Sequence, residues 1–305
     1  MDRFDPVGVI PPAVTPLTPQ GAVDPQGVQR LVDHLVHGGV DGIFVLGSCG
    51  EGPTLTRSQR SAAIRAFVNG VAGRVPILAG VGETSTARAL EAVADAEEAG
   101  ADALAVMVPQ YFLDDDERYI AAHVEAIADA SRLPILLYNI PQITRNRFTP
   151  ALVRRLGELP NVVGLKDSSN DWEAFVALLD AAKSVGLRVF QGAEGLVARS
   201  IFEGADGAIP GIANVVPSIS CQLVSAARKG DVERALALQA RQDRACAVYE
   251  AGFWLAGLKG ALSVLGICGP TAGLPIRPLD EAGWALIGGV LNELGVFEPD
   301  PLTKT

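Results

Sequence analysis

The chain has 305 residues, 49% of them hydrophobic and 20% charged, with only four cysteines. A chain this long and apolar can bury a large core, which excludes unfolded, fibrous and disulfide-scaffold classes. Asp and Glu outnumber Lys and Arg by 35 to 25, a formal charge of −10, which opposes phosphate backbones and anionic lipid, so neither nucleic acid nor membrane is an expected partner. The start, Met1 to Pro6, lacks a basic and apolar leader, and the longest apolar stretch, Phe253 to Cys268, is interrupted by Lys259 and several glycines; a cytoplasmic protein is expected.

Short apolar runs at Val9–Val14, Ile43–Leu46, Ile77–Ala79, Leu104–Val108, Ile135–Tyr138 and Val162–Lys166, with weaker ones at Arg188–Gln191 and Gly207–Ile209, predict eight strands. Amphipathic stretches lie between them: Val28, Leu31, Val32, Leu35 and Val36 keep helical spacing, as do Ile64, Phe67, Val68 and Val71, and Trp172, Phe175, Val176 and Leu179. Gly39-Val40-Asp41, Gly100-Ala101-Asp102 and Gly204-Ala205-Asp206 each place a left-handed glycine between a helix and the next strand. This alternation predicts a (β/α)8 barrel over residues 1–230. An open doubly wound sheet is the alternative, but Pro11-Pro12-Ala13-Val14-Thr15-Pro16 is not the glycine-rich fingerprint that such a sheet places after its first strand. From 231 to 305 the pattern predicts a helical extension, with Val232–Val264 and Leu279–Leu294 as helices.

Catalytic groups of a barrel sit at the carboxyl ends of its strands. Lys166 closes the sixth strand, and the other four lysines lie in helical or terminal segments. An amine at the mouth of a buried strand is stripped of water, which favours the neutral nucleophile a Schiff-base enzyme needs. The competing expectation is an ammonium paired with a neighbouring acid such as Asp167. Tyr138 closes the fifth strand, one strand away, where a phenol can relay protons. Gly47-Ser48-Cys49-Gly50-Glu51 follows the second strand, and its small residues let backbone amides approach a carboxylate. Tyr111 follows the fourth strand at the same rim. Cys49 has no histidine partner and reads as a loop thiol. His34 and His37 share a helix face without further ligands, and the cysteines show no CxxC spacing, so no metal is expected. Lys259 lies in a helical setting and is expected to make a structural contact or a subunit boundary.

With these residues in place the chain resembles the dihydrodipicolinate synthase and N-acetylneuraminate lyase family of Schiff-base pyruvate enzymes. The resemblance runs nearly end to end, through Pro12 to Leu17, GSCGE at Gly47 to Glu51, YNIP at Tyr138 to Pro141, GLKDSS at Gly164 to Ser169 and the tail with Lys259. It implies that Lys166 forms the imine, that Tyr138 shuttles the proton, and that Ser48 with the Ser48 and Cys49 amides holds the substrate carboxylate, Gly192 and Ile209 lying in the same substrate site. It also implies a relay of Ser48, Tyr138 and Tyr111 across a subunit boundary, a homotetramer, and no cofactor. Cys49 stands where the family has threonine, and a thiol is a weak donor. Synthases that take aspartate semialdehyde usually carry an arginine two residues after the proline of a YNxP motif. Here that residue is Ile143, with Arg145 and Arg147 as possible substitutes. The sialic acid lyases' acids after the seventh strand are not matched cleanly by Gly192-Ala193-Glu194-Gly195, and Gly211 replaces a serine. Ser168 matches a hydroxyl position of sugar-acid aldolases. The expected reaction is cleavage of a 2-keto-3-deoxygluconate-type sugar acid to pyruvate and an aldehyde. The alternatives are the lysine-pathway synthase, a sugar-acid dehydratase, a non-catalytic 2-keto acid sensor or a metal-dependent barrel enzyme.

Overall fold

A computed structural model describes residues 6–112 and 116–295. The strands β1 (Gly8–Val9), β2 (Ile43–Val45), β3 (Ile77–Gly80), β4 (Ala103–Met107), β5 (Ile135–Asn139), β6 (Val162–Asp167), β7 (Arg188–Gln191) and β8 (Gly207–Ala208) form one parallel sheet in the order β1-β8-β7-β6-β5-β4-β3-β2. The ring closes between β1 and β2, where the Phe44 amide donates to Pro11 O at 2.9 Å and the Ala13 amide to Phe44 O at 2.8 Å. The first strand is therefore shorter than the expected Val9–Val14. Pro11 and Pro12 have no N–H to give the ladder, and pairing beyond Val9 survives only as separate bonds.

The main helices between strands are α1 (Pro25–His37), α2 (Arg57–Val71), α3 (Thr86–Ala99), α4 (Glu117–Ala130), α5 (Pro141–Thr144), α6 (Pro150–Gly157), α7 (Trp172–Ser184) and α8 (Val197–Glu203). Side chains of Asp24, Thr56, Ser85, Thr149 and Asp171 accept N-terminal amides, so the starts are set locally. The helix-to-strand corners work as predicted: Gly39, Gly100 and Gly204 have φ of +85°, +88° and +112°. Their aspartates share a task. Asp41, Asp102 and Asp206 each accept an amide of a neighbouring strand, those of Val9, Ile77 and Val189, at 2.8 Å.

One apolar layer lies between sheet and helices, and a second fills the barrel with Ile10, Phe44, Leu78, Leu136, Phe190 and others. After β8 come α9 (Pro217–Arg228), α10 (Val232–Ala245), α11 (Trp254–Val264) and α12 (Glu281–Glu293). The helix expected over Val232–Val264 is broken by a 3-10 turn at Cys246–Ala251. The break lets α11 cross that turn closely: a Cβ on Gly257 would stand 2.0 Å from Val248 O, so only glycine fits.

Candidate active site

The interior ends of β5 and β6 place Tyr138 and Lys166 side by side as register partners. A register shift at the start of this pair decides which way Lys166 points. Val162 and Leu165, three residues apart, both pack in the outer layer. Strict alternation would put Val162 on the face of Lys166, so the irregularity turns Gly164 and Lys166 inward instead. Both Lys166 and Tyr138 are 3% exposed.

Lys166 Nζ lies 4.1 Å from the Tyr138 ring centroid and 5.1 Å from that of Phe44, two aromatic faces that hold it without a counter-charge. Among the described residues no carboxylate pairs with it. Asp167, the expected partner, instead accepts Asn139 Nδ2 and Ser169 Oγ, both at 2.7 Å, and burial raises its pKa against those bonds. The amine is left facing the cavity, and the ion-pair expectation fails.

That cavity, about 310 Å³, is lined by Ser48, Cys49, Tyr138, Lys166, Ser168, Gly192 and Ile209 among the expected residues. Its volume is at the low end of the roughly 300–1,000 Å³ of small-molecule sites. Larger clefts exist, but the one of about 580 Å³ beside Gly8, Val9 and Asp41 lies at the amino ends of the strands, where barrels carry stability. Gly192 is needed where it stands: a Cβ there would meet Ser168 Oγ at 2.0 Å and Lys166 Cε at 2.9 Å.

Two expected residues do not line the cavity. Gly47 is a support, since a Cβ would press on the Phe44 ring at 2.9 Å. Tyr111 follows β4 by four residues, has φ of +87° and is 79% exposed, so in the single chain it does not face the rim. Among the described residues neither the Ser48 nor the Cys49 amide donates to a backbone carbonyl in the turns and loops, and the Cys49 amide meets only its own sulfur, which leaves this loop open to an anion. Burial pushes the Cys49 thiol up to about 12, which leaves it a neutral wall and not a nucleophile.

Two lining residues, Tyr249 and Trp254, come from places the sequence did not mark. Tyr249, in the 3-10 turn, donates to Glu194 Oε1 at 2.9 Å, and the Gly211 amide donates to the same oxygen at 3.0 Å. A Cβ on Gly211 would stand 2.8 Å from the Tyr249 hydroxyl, so this phenol occupies the room a serine would need. Burial, then the Glu194 carboxylate, pushes the Tyr249 phenol well above its ordinary value and keeps it a donor. Trp254 and Ile143 complete this side. Neither Arg145 nor Arg147 lines the cavity, so neither replaces the missing arginine there. Among the described residues no cluster of three metal-ligating side chains occurs, and no helix is long and apolar enough to cross a membrane.

A barrel with an unpaired lysine and a phenol at adjacent strand ends, facing an amide-lined loop, is an arrangement for imine chemistry on a keto acid. The model of the dihydrodipicolinate synthetase family matches residues 5–291. The chain belongs to this family. Among curated relatives, the 4-hydroxy-tetrahydrodipicolinate synthase of Phenylobacterium zucineum is 37% identical over 292 residues, covering 95% of this chain and 98% of that one. That of Alkalilimnicola ehrlichii is 37% identical over 271 residues, covering 88% and 91%. Among solved structures, YagE, a family member from E. coli K12 in complex with pyruvate, superposes with a TM-score of 0.90 at 32% identity, over 94% of this chain and 98% of that one. The dihydrodipicolinate synthase of Bacteroides thetaiotaomicron gives 0.91 at 33% identity, over 96% and 100%. The dihydrodipicolinate synthase family fold is thus that of this barrel, and the chain is a class I, pyruvate-dependent aldolase.

Proposed function

We propose that the chain reversibly cleaves a 2-keto-3-deoxy sugar acid of the 2-keto-3-deoxygluconate type. The observation that carries this reading is the charge at the mouth: where a second substrate carboxylate would need a cation, the cavity presents Ile143 and the Glu194 carboxylate. Glu194, Tyr249 and Ser168 supply acceptors and donors suited to hydroxyl groups.

Lys166 Nζ adds to the C2 carbonyl, and loss of water gives the protonated imine. Tyr138 takes the proton of the C4 hydroxyl as the C3–C4 bond breaks, the electron pair passing into the imine to leave an enamine and a free aldehyde. Protonation at C3 and hydrolysis then return pyruvate and the amine. The Ser48 hydroxyl and the Ser48 and Cys49 amides hold the C1 carboxylate. Neither a metal nor an organic cofactor takes part. In this reading Tyr111, exposed beside Phe112, reaches the relay of a neighbouring chain across a subunit boundary of a homotetramer, as the family resemblance implies.

The second reading is 4-hydroxy-tetrahydrodipicolinate synthase, favoured by the names of the curated relatives at 33 to 37% identity. Parallel assays with 2-keto-3-deoxygluconate, N-acetylneuraminate, and pyruvate plus aspartate semialdehyde distinguish them. Turnover highest on the sugar acid is the expected result, and turnover highest on the semialdehyde selects the synthase. Borohydride reduction with pyruvate, followed by peptide mapping, is expected to label Lys166; label elsewhere refutes the mechanism.

A further inference from the structure

The loop that carries the Ser48 and Cys49 amides is held from two distant parts of the chain. Thr15 Oγ1 donates to Gly50 O at 2.6 Å inside the barrel. Glu51, the last residue of the loop, has φ of +59°, a conformation that costs a non-glycine residue and persists only where its surroundings impose it. Its carboxylate is buried and both oxygens are taken. Lys259 of α11 donates to Oε1, and the Gly273 amide donates to Oε2 at 2.5 Å. Lys259 is itself fully buried, and its remaining reach goes to Thr271 O at 2.6 Å. Burial pulls its ammonium below the ordinary value, with Glu51 opposing.

Stability alone gives little reason for such a pair, because replacing a buried ion pair with apolar side chains is often neutral or favourable. What the pair supplies is direction. It aims a strained loop residue at a point fixed by the C-terminal helices, 208 residues away in the chain.

We propose that Glu51 and Lys259 are a positioning pair that sets the amide cradle for the keto-acid carboxylate, so that the C-terminal segment is part of substrate recognition. The inference rests on the reading of the Ser48–Cys49 loop as that cradle. Its test compares two ketones, pyruvate and acetone, as borohydride-trapped imines, since acetone lacks a carboxylate. In Glu51→Gln and Lys259→Met the half-saturating pyruvate concentration is expected to rise about tenfold or more, the scale of a loosened oriented site, while that of acetone moves less than about twofold. Gly273→Ala serves where a charge variant fails to fold. It places a Cβ 3.0 Å from Glu51 Oε2 without stranding a buried charge, and the same selective shift is expected from it. The pairing is overturned if pyruvate capture by the folded variants stays within about twofold of the parent, or if both ketones weaken together with the melting temperature, as a purely structural role would dictate. A parent chain that captures acetone as readily as pyruvate overturns the reading of the loop itself.

Discussion

Lys166 is held by aromatic faces and a glycine opposite, so its environment is steric as much as electrostatic. Because a Cβ at 192 would stand 2.9 Å from Lys166 Cε and 2.0 Å from Ser168 Oγ, Gly192→Ala is expected to slow imine formation about a hundredfold and to cost about 1–3 kcal/mol of stability. Stopped borohydride trapping with pyruvate measures the rate, and a parental rate would contradict the packing around the amine. The thiols are a second case of burial deciding reactivity. Cys49 and Cys221 are pushed to about 12, Cys268 to about 11, and Cys246 upward as well, in each case first by burial. A colorimetric thiol reagent at pH 7 should therefore react slowly with the folded chain and with all four thiols once it is unfolded. Cys49 lines the cavity and Cys221 and Cys246 are only half-buried, so a rapid native reaction would show that the raised pKa does not govern these thiols.

At the scale of elements, the break between α10 and α11 matters most, because it delivers Tyr249 and Trp254 to the barrel mouth. Gly257→Ala would set a Cβ 2.0 Å from Val248 O. The crossing must then widen, and a loss of about 1–3 kcal/mol is expected, together with displaced Tyr249 and reduced affinity for hydroxylated substrate. Urea unfolding and the substrate half-saturation constant report the two effects; loss of neither would mean that the crossing tolerates a side chain. The helix-to-strand corners show the opposite behaviour. Glycine followed two residues later by aspartate is a local pattern, and Asp41, Asp102 and Asp206 meet strand amides where that pattern places them.

For the whole molecule, acid sensitivity follows from a buried imidazole. His123 of α4 bonds through Nδ1 to Thr86 Oγ1 at 2.9 Å, joining it to the start of α3, and burial lowers its pKa from 6.5 to about 4. The unfolded chain binds a proton on His123 below its ordinary value while the folded chain does not. Stability from this group is therefore complete above pH 6.5 and falls as the pH drops towards 4, by roughly 3 kcal/mol in all. Replacing His123→Gln should flatten the stability profile over that window and leave it unchanged near neutrality. Parallel profiles for parent and variant would assign the acid loss to other groups.

The strand runs, the caps, and the polar groups that end β5 and β6 could be read from the chain because each depends on neighbours within a few residues: alternation, a capping side chain, a left-handed glycine. Ser48, Cys49, Tyr138, Lys166, Ser168, Gly192 and Ile209 came together in one cavity for the same reason, since parallel strands in a ring bring their carboxyl ends to one rim. Nothing local marked Tyr249 as a partner of Glu194, or Lys259 as the partner of Glu51, for those contacts join residues 55 and 208 positions apart. The helical pattern runs through Tyr249, with Gly252 its one local breaker, and a buried lysine in an apolar helix carries no address. Periodicity and capping thus determined the barrel and the lysine near the carboxyl end of its sixth strand, whereas the side of β6 on which that amine emerges, and the groups that meet it from the C-terminal helices, were decided by a register shift and by close crossings that exist only once the chain is packed.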